Sequence, residues 1–218
     1  MKLNKNQRFM FITHRTVDYT EIDEIRMLLE GGCTWIQLRM KNTLNLDVAR
    51  EAVALCRAYN TETICCLNDD VEMALACGAS GVHIGKNDMP LSQAWELVEK
   101  QGRKESFIIG VTANTFEDIL QAVAGNASYI GLGPYRQTTT KEKLSPLLGL
   151  EGYKKIMQQC KDARLDIPIF AIGGIEFDNI PSLMQTGISG VAVSGTIIRS
   201  DDPTAETRKF LNIITENE

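Results

Sequence analysis

The sequence Tyr129-Ile-Gly-Leu-Gly-Pro-Tyr-Arg-Gln-Thr-Thr-Thr-Lys141 joins a short apolar run to a polar loop. Its first four residues include an aromatic and a β-branched residue and predict a strand, which the following Gly-Pro pair should end because proline has no N–H to donate to a neighbouring strand. The three threonine hydroxyls and the lysine ammonium group that follow are suited to binding phosphate. A polar surface loop with solvated lysines is the alternative.

Strand-like and helix-like patterns alternate along the rest of the chain. The other apolar strand-like runs lie at residues 8–13, 34–41, 63–67, 81–85, 107–111, 167–172 and 190–193. Helical patterns occupy residues 21–30, 45–59, 116–124 and 150–163, with a short helix ending at Gly78, one after Pro90 and an amphipathic stretch near the end of the chain. Eight strands, each followed by a helical pattern, predict one α/β domain over residues 1–218, a single (β/α)8 TIM barrel.

An open doubly wound sheet is the alternative fold. It would need a glycine-rich loop after the first strand, where this chain has Thr13-His14-Arg15-Thr16. The strands are also nearly continuous apolar runs, as expected when both faces of a parallel sheet are buried. The pattern therefore favours the closed barrel.

Composition limits the classes of partner. The chain has 218 residues, 44% of them hydrophobic, and a net charge of -5, which argues against nucleic acid or an anionic membrane as a partner. No apolar run is long enough to span a bilayer or form a signal-peptide core. The six cysteines form no Cys-x-x-Cys pair and are predicted to be core residues in a reducing compartment. We expect a cytoplasmic protein that acts on small molecules.

Polar residues stand where the predicted strands end. In a (β/α)8 barrel the carboxyl ends of the strands share one face, so these residues should converge there. In strand order, and beyond the loop at 138–141, they are Gln37, Arg39 and Lys41, then Asn68 and Asp69, then Asp88, then Thr112 and Asn114, then Gly173-Gly174, then Ser194-Gly195.

Two of these groups indicate a site for a diphosphate. Gln37, Arg39 and Lys41 alternate along the predicted second strand and should present two cations on one face, for an anion or for an ion pair with an acid. Asp69 and Asp88 follow neighbouring strands and could hold one Mg²⁺ together with substrate phosphate oxygens. The alternative is that each aspartate caps the helix after it.

The glycines after the last two strands indicate a second anion site. Gly173-Gly174 and Ser194-Gly195 would allow a phosphate to approach bare backbone N–H groups, although a tight turn would need the same glycines. Two anion sites across one mouth, one of them with a metal, suggest an enzyme that joins a diphosphate to a monophosphate.

An ordered set of motifs covers nearly the whole chain. It consists of Gln37-Leu-Arg-Met-Lys41, Asn68-Asp-Asp70, Gly81-Val-His-Ile-Gly-Lys-Asn-Asp88, Gly110-Val-Thr112, Gly131-Leu-Gly-Pro134 with Thr138-Thr-Thr-Lys141, Ala171-Ile-Gly-Gly-Ile175 and Val191-Ala-Val-Ser194. The set resembles the thiamine phosphate synthase family. Each motif alone is a weak signal, but their order is specific.

The resemblance implies a transferase that couples 4-amino-2-methyl-5-hydroxymethylpyrimidine diphosphate to a thiazole phosphate, giving thiamine phosphate and diphosphate by a dissociative displacement. It implies that the pyrimidine diphosphate binds Gln37, Leu38, Arg39, Met40, Lys41, Asn68, Thr112 and Lys141, with Arg39, Lys41 and Lys141 as catalytic cations. It further implies one Mg²⁺ per subunit on Asp69 and Asp88, and a thiazole phosphate on Thr138, Thr139, Thr140, Gly173, Val193 and Ser194. Whether the subunits form a homo-oligomer is left open.

Two departures from the family keep alternatives open. Thr112 stands where many relatives have serine and keeps the hydroxyl group, whereas Asn114 stands where some have histidine and cannot transfer protons at neutral pH. Thiazole tautomerases, which are similar paralogues, are thought to use a histidine there. A tautomerase-like enzyme and a non-catalytic barrel that binds thiamine phosphate are the alternatives. His14 is expected at the mouth, and His83, inside a strand, as a packed and hydrogen-bonded residue.

Overall fold

A closed barrel of eight parallel strands forms the centre of the molecule. The computed structural model describes residues 4, 7–41, 44–137 and 146–216. Each strand pairs with the next along the chain, and the last pairs with the first, which confirms the predicted (β/α)8 barrel. The strands are β1 Phe9–Ile12, β2 Trp35–Leu38, β3 Ile64–Asn68, β4 Gly81–Ile84, β5 Ile108–Ala113, β6 Tyr129–Leu132, β7 Ile169–Ile172 and β8 Gly190–Val193.

Helices surround the barrel. They are α1 Glu21–Glu30, α2 Leu46–Tyr59, α3 Val71–Ala76, α4 Leu91–Lys100, α5 Phe116–Ala124, α6 Gly149–Asp162, α7 Ile180–Met184, α8 Gly195–Ile198 and α9 Pro203–Glu216, and a 3-10 turn, Phe177–Asn179, precedes α7. The sequence predicts no bounds for α7 and α8 because one turn of helix is too short to show a periodic apolar face. No helix among the described residues is long and apolar enough to cross a membrane.

Side-chain caps fix where several helices begin. The side chains of Thr20, Asn45, Asp70 and Thr115 accept hydrogen bonds from the first-turn N–H groups of α1, α2, α3 and α5. Each such cap contributes about 1 kcal/mol and fixes the point at which the preceding loop ends. The loops at the carboxyl ends of the strands are therefore held at their far ends.

Aromatic rings and glycines alternate inside the barrel. Trp35 packs edge-on against Tyr129 and Phe170, with 5.0 Å between ring centroids in each pair. Tyr129 occupies space that a side chain at Gly110 would need, because an added Cβ there would overlap the Tyr129 Cζ. These rings fill the barrel interior and form a closed floor beneath the polar carboxyl ends of the strands.

Neighbouring residues on a strand pack on opposite sides of the sheet, one against the helices and one inside the barrel. Cys65 packs between the barrel and the helices, whereas Cys66 packs inside the barrel with Trp35. This confirms that adjacent residues of a strand point to opposite faces. All six cysteines are buried and carry free thiols, as predicted for core residues.

The second strand is shorter than predicted. It ends at Leu38, although the sequence predicts extension to Lys41. The Thr13 hydroxyl accepts the Arg39 N–H at 2.7 Å and is 3.1 Å from the Arg39 carbonyl oxygen, so this threonine takes the place of a strand partner. The predicted strand alternation therefore does not extend to Arg39 and Lys41, of which Arg39 lines the cavity at the strand ends and Lys41 is exposed.

Replacing Gly110 tests how closely the barrel interior is packed. We expect Gly110→Ala to lower the free energy of unfolding by about 2 kcal/mol or more, because the new Cβ overlaps the Tyr129 ring. Urea unfolding measures the change. Gly152→Ala, on α6, is the matched control and should change stability by less than about 1 kcal/mol, since its gain in helix propensity offsets a small shift of Leu148, whose Cβ would lie 3.0 Å from the new Cβ. Equal effects of the two substitutions would contradict this packing.

Candidate active site

A cavity of about 310 Å³ opens at the carboxyl ends of the strands. Each of the eight strands, or the loop after it, contributes to the cavity wall. From the described part of the loop after β6, the contributing residues are Gly133 and Pro134. The cavity brings together nine of the predicted site residues: Gln37, Arg39, Asn68, Asp69, Asp88, Thr112, Gly173, Val193 and Ser194. Residues as far apart in the sequence as Gln37 and Ser194 thus line one cavity.

Other predicted residues lie outside the cavity wall. Leu38 is buried in the core between the barrel and the helices, where Met40 packs against the same core. Lys41 is exposed and acts electrostatically on His14. Thr138, Thr139, Thr140 and Lys141 lie outside the described residues. Binding roles for all of these stay predictions.

Asp69 and Asp88 face each other in the cavity. Loss of water around Asp69 and the nearby Asp88 carboxylate raise the Asp69 pKa to about 6. Asp69 keeps solvent-exposed surface because it lines an open cavity, but the surrounding protein removes enough water to shift its pKa. Its backbone is in the left-handed region, with φ of 68°, a strain of order 1 kcal/mol for a residue with a side chain. A strained, repelling carboxylate is typical of a functional position.

Neither aspartate caps the helix that follows. The cap of α3 is Asp70, whose side chain accepts the Met73 N–H at 2.8 Å. The residue at the start of α4 is Pro90, which has no capping side chain. One Asp88 oxygen instead accepts the Gly85 N–H at 2.6 Å, within the loop after β4. The helix-cap alternative is therefore wrong for both residues.

Arg39 and an amide pair border the carboxylates. Burial lowers the Arg39 pKa, and the negative charge of Asp69 partly opposes that shift. The Gln37 amide donates to the Asn68 side-chain oxygen at 2.6 Å, which fixes both amides at the cavity wall. The acid that acts on Arg39 is itself a site residue, which places the cation beside the carboxylates of the cavity.

No ready-made metal cage exists among the described residues, because no three His, Cys, Asp or Glu side chains are grouped there. Two carboxylates nonetheless fit Mg²⁺, which takes one or two protein carboxylates and fills its other positions with water and substrate phosphate. Burial is the largest cause of the raised Asp69 pKa and Asp88 adds to it; a cation between the two carboxylates would favour the charged form of both.

The opposite wall offers backbone groups. Gly173 and Gly174 have φ of 93° and 68°, and an added Cβ at Gly173 would lie 2.8 Å from Pro134. The Ser194 hydroxyl is buried, lines the cavity and has no hydrogen-bond partner among the residues that the structure describes. The turn and its packing against Pro134 account for the glycine, whereas the buried serine hydroxyl fits a small oxygen-rich group that accepts its proton.

Two cations that line the cavity, Arg199 and Lys86, were not among the predicted site residues. Arg199, just after α8, lines the cavity, and its guanidinium lies against Gly195. Lys86 also lines it and pairs with Asp118 at 2.6 Å. A cation shortly after Ser194, beyond the last strand end, was the available signal for Arg199.

Asn114 is held in place by the neighbouring loop. Its side-chain amide donates to the Gly133 carbonyl oxygen, and its backbone N–H donates to Asp118. An amide in this position holds the loop after β6 and offers no proton for acid-base chemistry. This placement weakens the tautomerase alternative.

His83 is hydrogen-bonded as predicted, but it also lines the cavity. Its Nδ1 lies 3.2 Å from the Tyr129 hydroxyl and its Nε2 lies 3.0 Å from the Thr112 hydroxyl. The sequence motif contains His83, but only the fold shows that its side chain connects Tyr129 in the barrel floor to the site residue Thr112.

His14 lies beside the cavity among cations. Burial lowers its pKa, and the positive charges of Lys41, Arg199 and Arg39 lower it further. Its backbone N–H donates to the buried Glu24 carboxylate at 2.8 Å. These surroundings favour the neutral imidazole, and Glu24 fixes the loop that carries it.

Comparisons with known proteins agree on one family. A family model described as thiamine monophosphate synthase matches residues 9–197. The thiamine-phosphate synthase of Phocaeicola vulgatus is 49% identical over 213 residues, covering 96% of this chain and 99% of that protein. The corresponding protein of Bacteroides thetaiotaomicron is 51% identical, covering 93% of this chain and 95% of its own length. The solved thiamine phosphate pyrophosphorylase of Pyrococcus furiosus has a TM-score of 0.82 at 32% identity, over 97% of this chain and 96% of that one.

Glu24 makes stability depend on pH. Burial, with Glu21 nearby, raises its pKa from 4.5 to about 7, so its contribution to stability is present below pH 4.5 and lost as pH rises through 7. Glu24→Gln mimics the protonated acid and should be about 2 kcal/mol more stable than the parent at pH 8, with little difference at pH 4. Urea unfolding at both pH values checks this.

The exposed Glu51→Gln is the control. It should change stability by the same small amount at both pH values, since surface pairs contribute little. A Glu24→Gln variant that is less stable than the parent at pH 8 would contradict the expected burial cost.

Proposed function

This chain belongs to the thiamine monophosphate synthase family, and from that premise we propose that it couples 4-amino-2-methyl-5-hydroxymethylpyrimidine diphosphate to a thiazole phosphate, releasing diphosphate. Thiamine phosphate is the other product. The observation that carries the proposal is a single cavity with Asp69, Asp88 and Arg39 on one side and the Gly173 backbone and Ser194 hydroxyl on the other. This arrangement supports two phosphorylated substrates held face to face.

The pyrimidine diphosphate is assigned to the wall with the acids and Arg39. Gln37 and Asn68 are fixed by their mutual hydrogen bond and can present their remaining amide groups to the ligand. Thr112 adds a hydroxyl group from β5. Lys41 and Lys141 are proposed as additional cations at the edge of this site, Lys141 on the strength of the family resemblance alone.

Magnesium is proposed on Asp69 and Asp88. Neither side chain has a helix-capping role, and burial together with the neighbouring Asp88 raises the pKa of Asp69, which a bound cation would counter. When bound, the ion would supply positive charge to the diphosphate oxygens.

The thiazole phosphate is assigned to the opposite wall. Gly173 and Val193 would offer backbone groups, and the buried Ser194 hydroxyl would gain an acceptor for its proton. Arg199, against Gly195, adds a cation close to this wall. Thr138, Thr139 and Thr140 complete the proposed set on the family resemblance.

The reaction is proposed to begin with cleavage of the bond between the pyrimidine methylene carbon and the diphosphate. The electron pair leaves with the diphosphate oxygen, where Arg39 and the lysines stabilise the growing negative charge. The methylene carbon becomes a cation, and the electron-rich aminopyrimidine ring spreads its charge. The thiazole nitrogen, held nearby through its phosphate, donates its lone pair to that carbon and forms the new C–N bond. No proton moves, so no general base is needed.

Adjacent aspartates provide a matched test of the metal role. Asp69→Asn should lower turnover on the order of a hundred- to a thousand-fold, because it removes a carboxylate ligand of the proposed Mg²⁺, whose charge would stabilise the leaving diphosphate. Asp70→Asn should keep nearly full activity, since asparagine also caps α3. Diphosphate release under saturating substrates measures both. Similar rates for Asp69→Asn and the parent would refute the role.

Omitting each substrate in turn separates the candidate functions. Diphosphate release should require the pyrimidine diphosphate and Mg²⁺, and thiamine phosphate should form only when the thiazole phosphate is also present. Isomerisation of the thiazole without the pyrimidine or Mg²⁺ would indicate a tautomerase. Binding of thiamine phosphate without any diphosphate release would indicate a non-catalytic barrel.

A further inference from the structure

Three side chains connect the barrel floor to the cavity. Tyr129 on β6 lies beneath His83 on β4, and His83 lies beside Thr112 on β5. The His83 Nδ1 is 3.2 Å from the Tyr129 hydroxyl oxygen, and its Nε2 is 3.0 Å from the Thr112 hydroxyl oxygen. His83 and Thr112 line the cavity, whereas Tyr129 is completely buried below it.

The buried tyrosine sets the direction of the hydrogen bonds. Burial raises the Tyr129 pKa well above its ordinary value, so the phenol keeps its proton. Trp35 and Phe170 rings pack against the phenol, and an O–H group without an acceptor in such a place costs roughly 1–3 kcal/mol. The Tyr129 O–H is satisfied if it donates to the His83 Nδ1.

A neutral histidine that accepts at Nδ1 carries its proton on Nε2. The Nε2–H then donates to the Thr112 oxygen, so the Thr112 proton must point away from His83. In the opposite tautomer, the Nδ1–H group would point at the phenol oxygen. The phenol proton would then have no acceptor among the surrounding aromatic rings. An imidazolium would also carry a proton on Nδ1 and would leave the phenol proton without an acceptor in the same way.

We propose that Tyr129 and His83 are positioning residues that fix the Thr112 hydroxyl as a hydrogen-bond donor to the pyrimidine diphosphate. The inference rests on the proposed function for the identity of the ligand. Phosphate oxygens only accept hydrogen bonds, so a hydroxyl held as a donor binds them and one held as an acceptor does not.

Two glycines leave the space that the Tyr129 and His83 rings need to form these hydrogen bonds. Gly110 leaves the space that the Tyr129 ring fills, since an added Cβ would overlap its Cζ. Gly131 leaves room for the imidazole, because an added Cβ would lie 3.0 Å from the His83 Cε1. The position of the Thr112 hydroxyl is thus set by His83 beside it and by Tyr129 below the cavity.

The tautomer can be measured directly. The chain has two histidines, so a His14→Asn background leaves only His83 to observe. Nitrogen-15 NMR of this protein without ligand should show the proton on Nε2. In Tyr129→Phe the preference should be reduced or reversed, because Nδ1 loses its donor. A proton on Nδ1 in the Tyr129-containing protein would overturn the proposal.

A double-mutant cycle tests the consequence for binding. Calorimetric titration with pyrimidine diphosphate and Mg²⁺ should show affinity weakened roughly tenfold or more by Thr112→Val and roughly three- to tenfold by Tyr129→Phe. In the Thr112→Val background, Tyr129→Phe should have no further effect, because no hydroxyl remains to orient. Thr112→Ser should restore the sensitivity to Tyr129→Phe.

Tyr153→Phe is the matched control. Tyr153 is another buried tyrosine, and its hydroxyl contacts the Leu132 carbonyl oxygen and the Ile172 N–H rather than His83. Its effect on affinity should be the same in the parent and in the Thr112→Val background, and it should leave the His83 tautomer unchanged. Independent effects of Tyr129→Phe and Thr112→Val would overturn the positioning role. A Thr112→Val variant with full affinity would instead refute the assignment of Thr112 to the diphosphate, whatever the tautomer.

Discussion

Repulsion between Asp69 and Asp88 is the constraint on which the site depends. The two side chains come from adjacent strand ends, and Asp88 helps to raise the Asp69 pKa to about 6. A fold gains no stability from this arrangement, and the left-handed backbone at Asp69 adds strain. Helix capping does not explain it, since Asp70 and Pro90 occupy the cap positions. The account is complete if a cation and an anionic substrate relieve the repulsion.

The barrel makes this arrangement possible by separating packing from chemistry. Large rings from Trp35, Tyr129 and Phe170 close the interior, while glycines on neighbouring strands leave the space that those rings need. Inside the barrel, the polar side chains that line the cavity therefore lie at the carboxyl ends of the strands, where the closed sheet brings every strand to one rim. The His83 contacts show that the two layers are connected, because a buried phenol can determine how a hydroxyl group faces the cavity.

Much of the fold follows from the sequence, because eight apolar runs with helical patterns between them admit few topologies. The sequence also places Asp69, Asp88, Arg39 and Ser194 correctly at the rim, since strand ends share one face. It misjudges the end of β2, because the Thr13 hydroxyl that replaces a strand partner lies 26 positions away. Arg199 is missed for a similar reason: α8 is too short to show a pattern, and only the closed barrel turns that residue toward the cavity.

Anomalous diffraction from crystals grown with Mn²⁺ and diphosphate would test the central claim most directly, because Mn²⁺ accepts the same oxygen ligands as Mg²⁺ and can be located by its own scattering. The account predicts a metal peak bonded to the carboxylates of Asp69 and Asp88 and to diphosphate oxygens, with Arg39 beside the same diphosphate. A metal bound elsewhere, with both carboxylates directed at protein groups and the diphosphate outside the cavity, would contradict it.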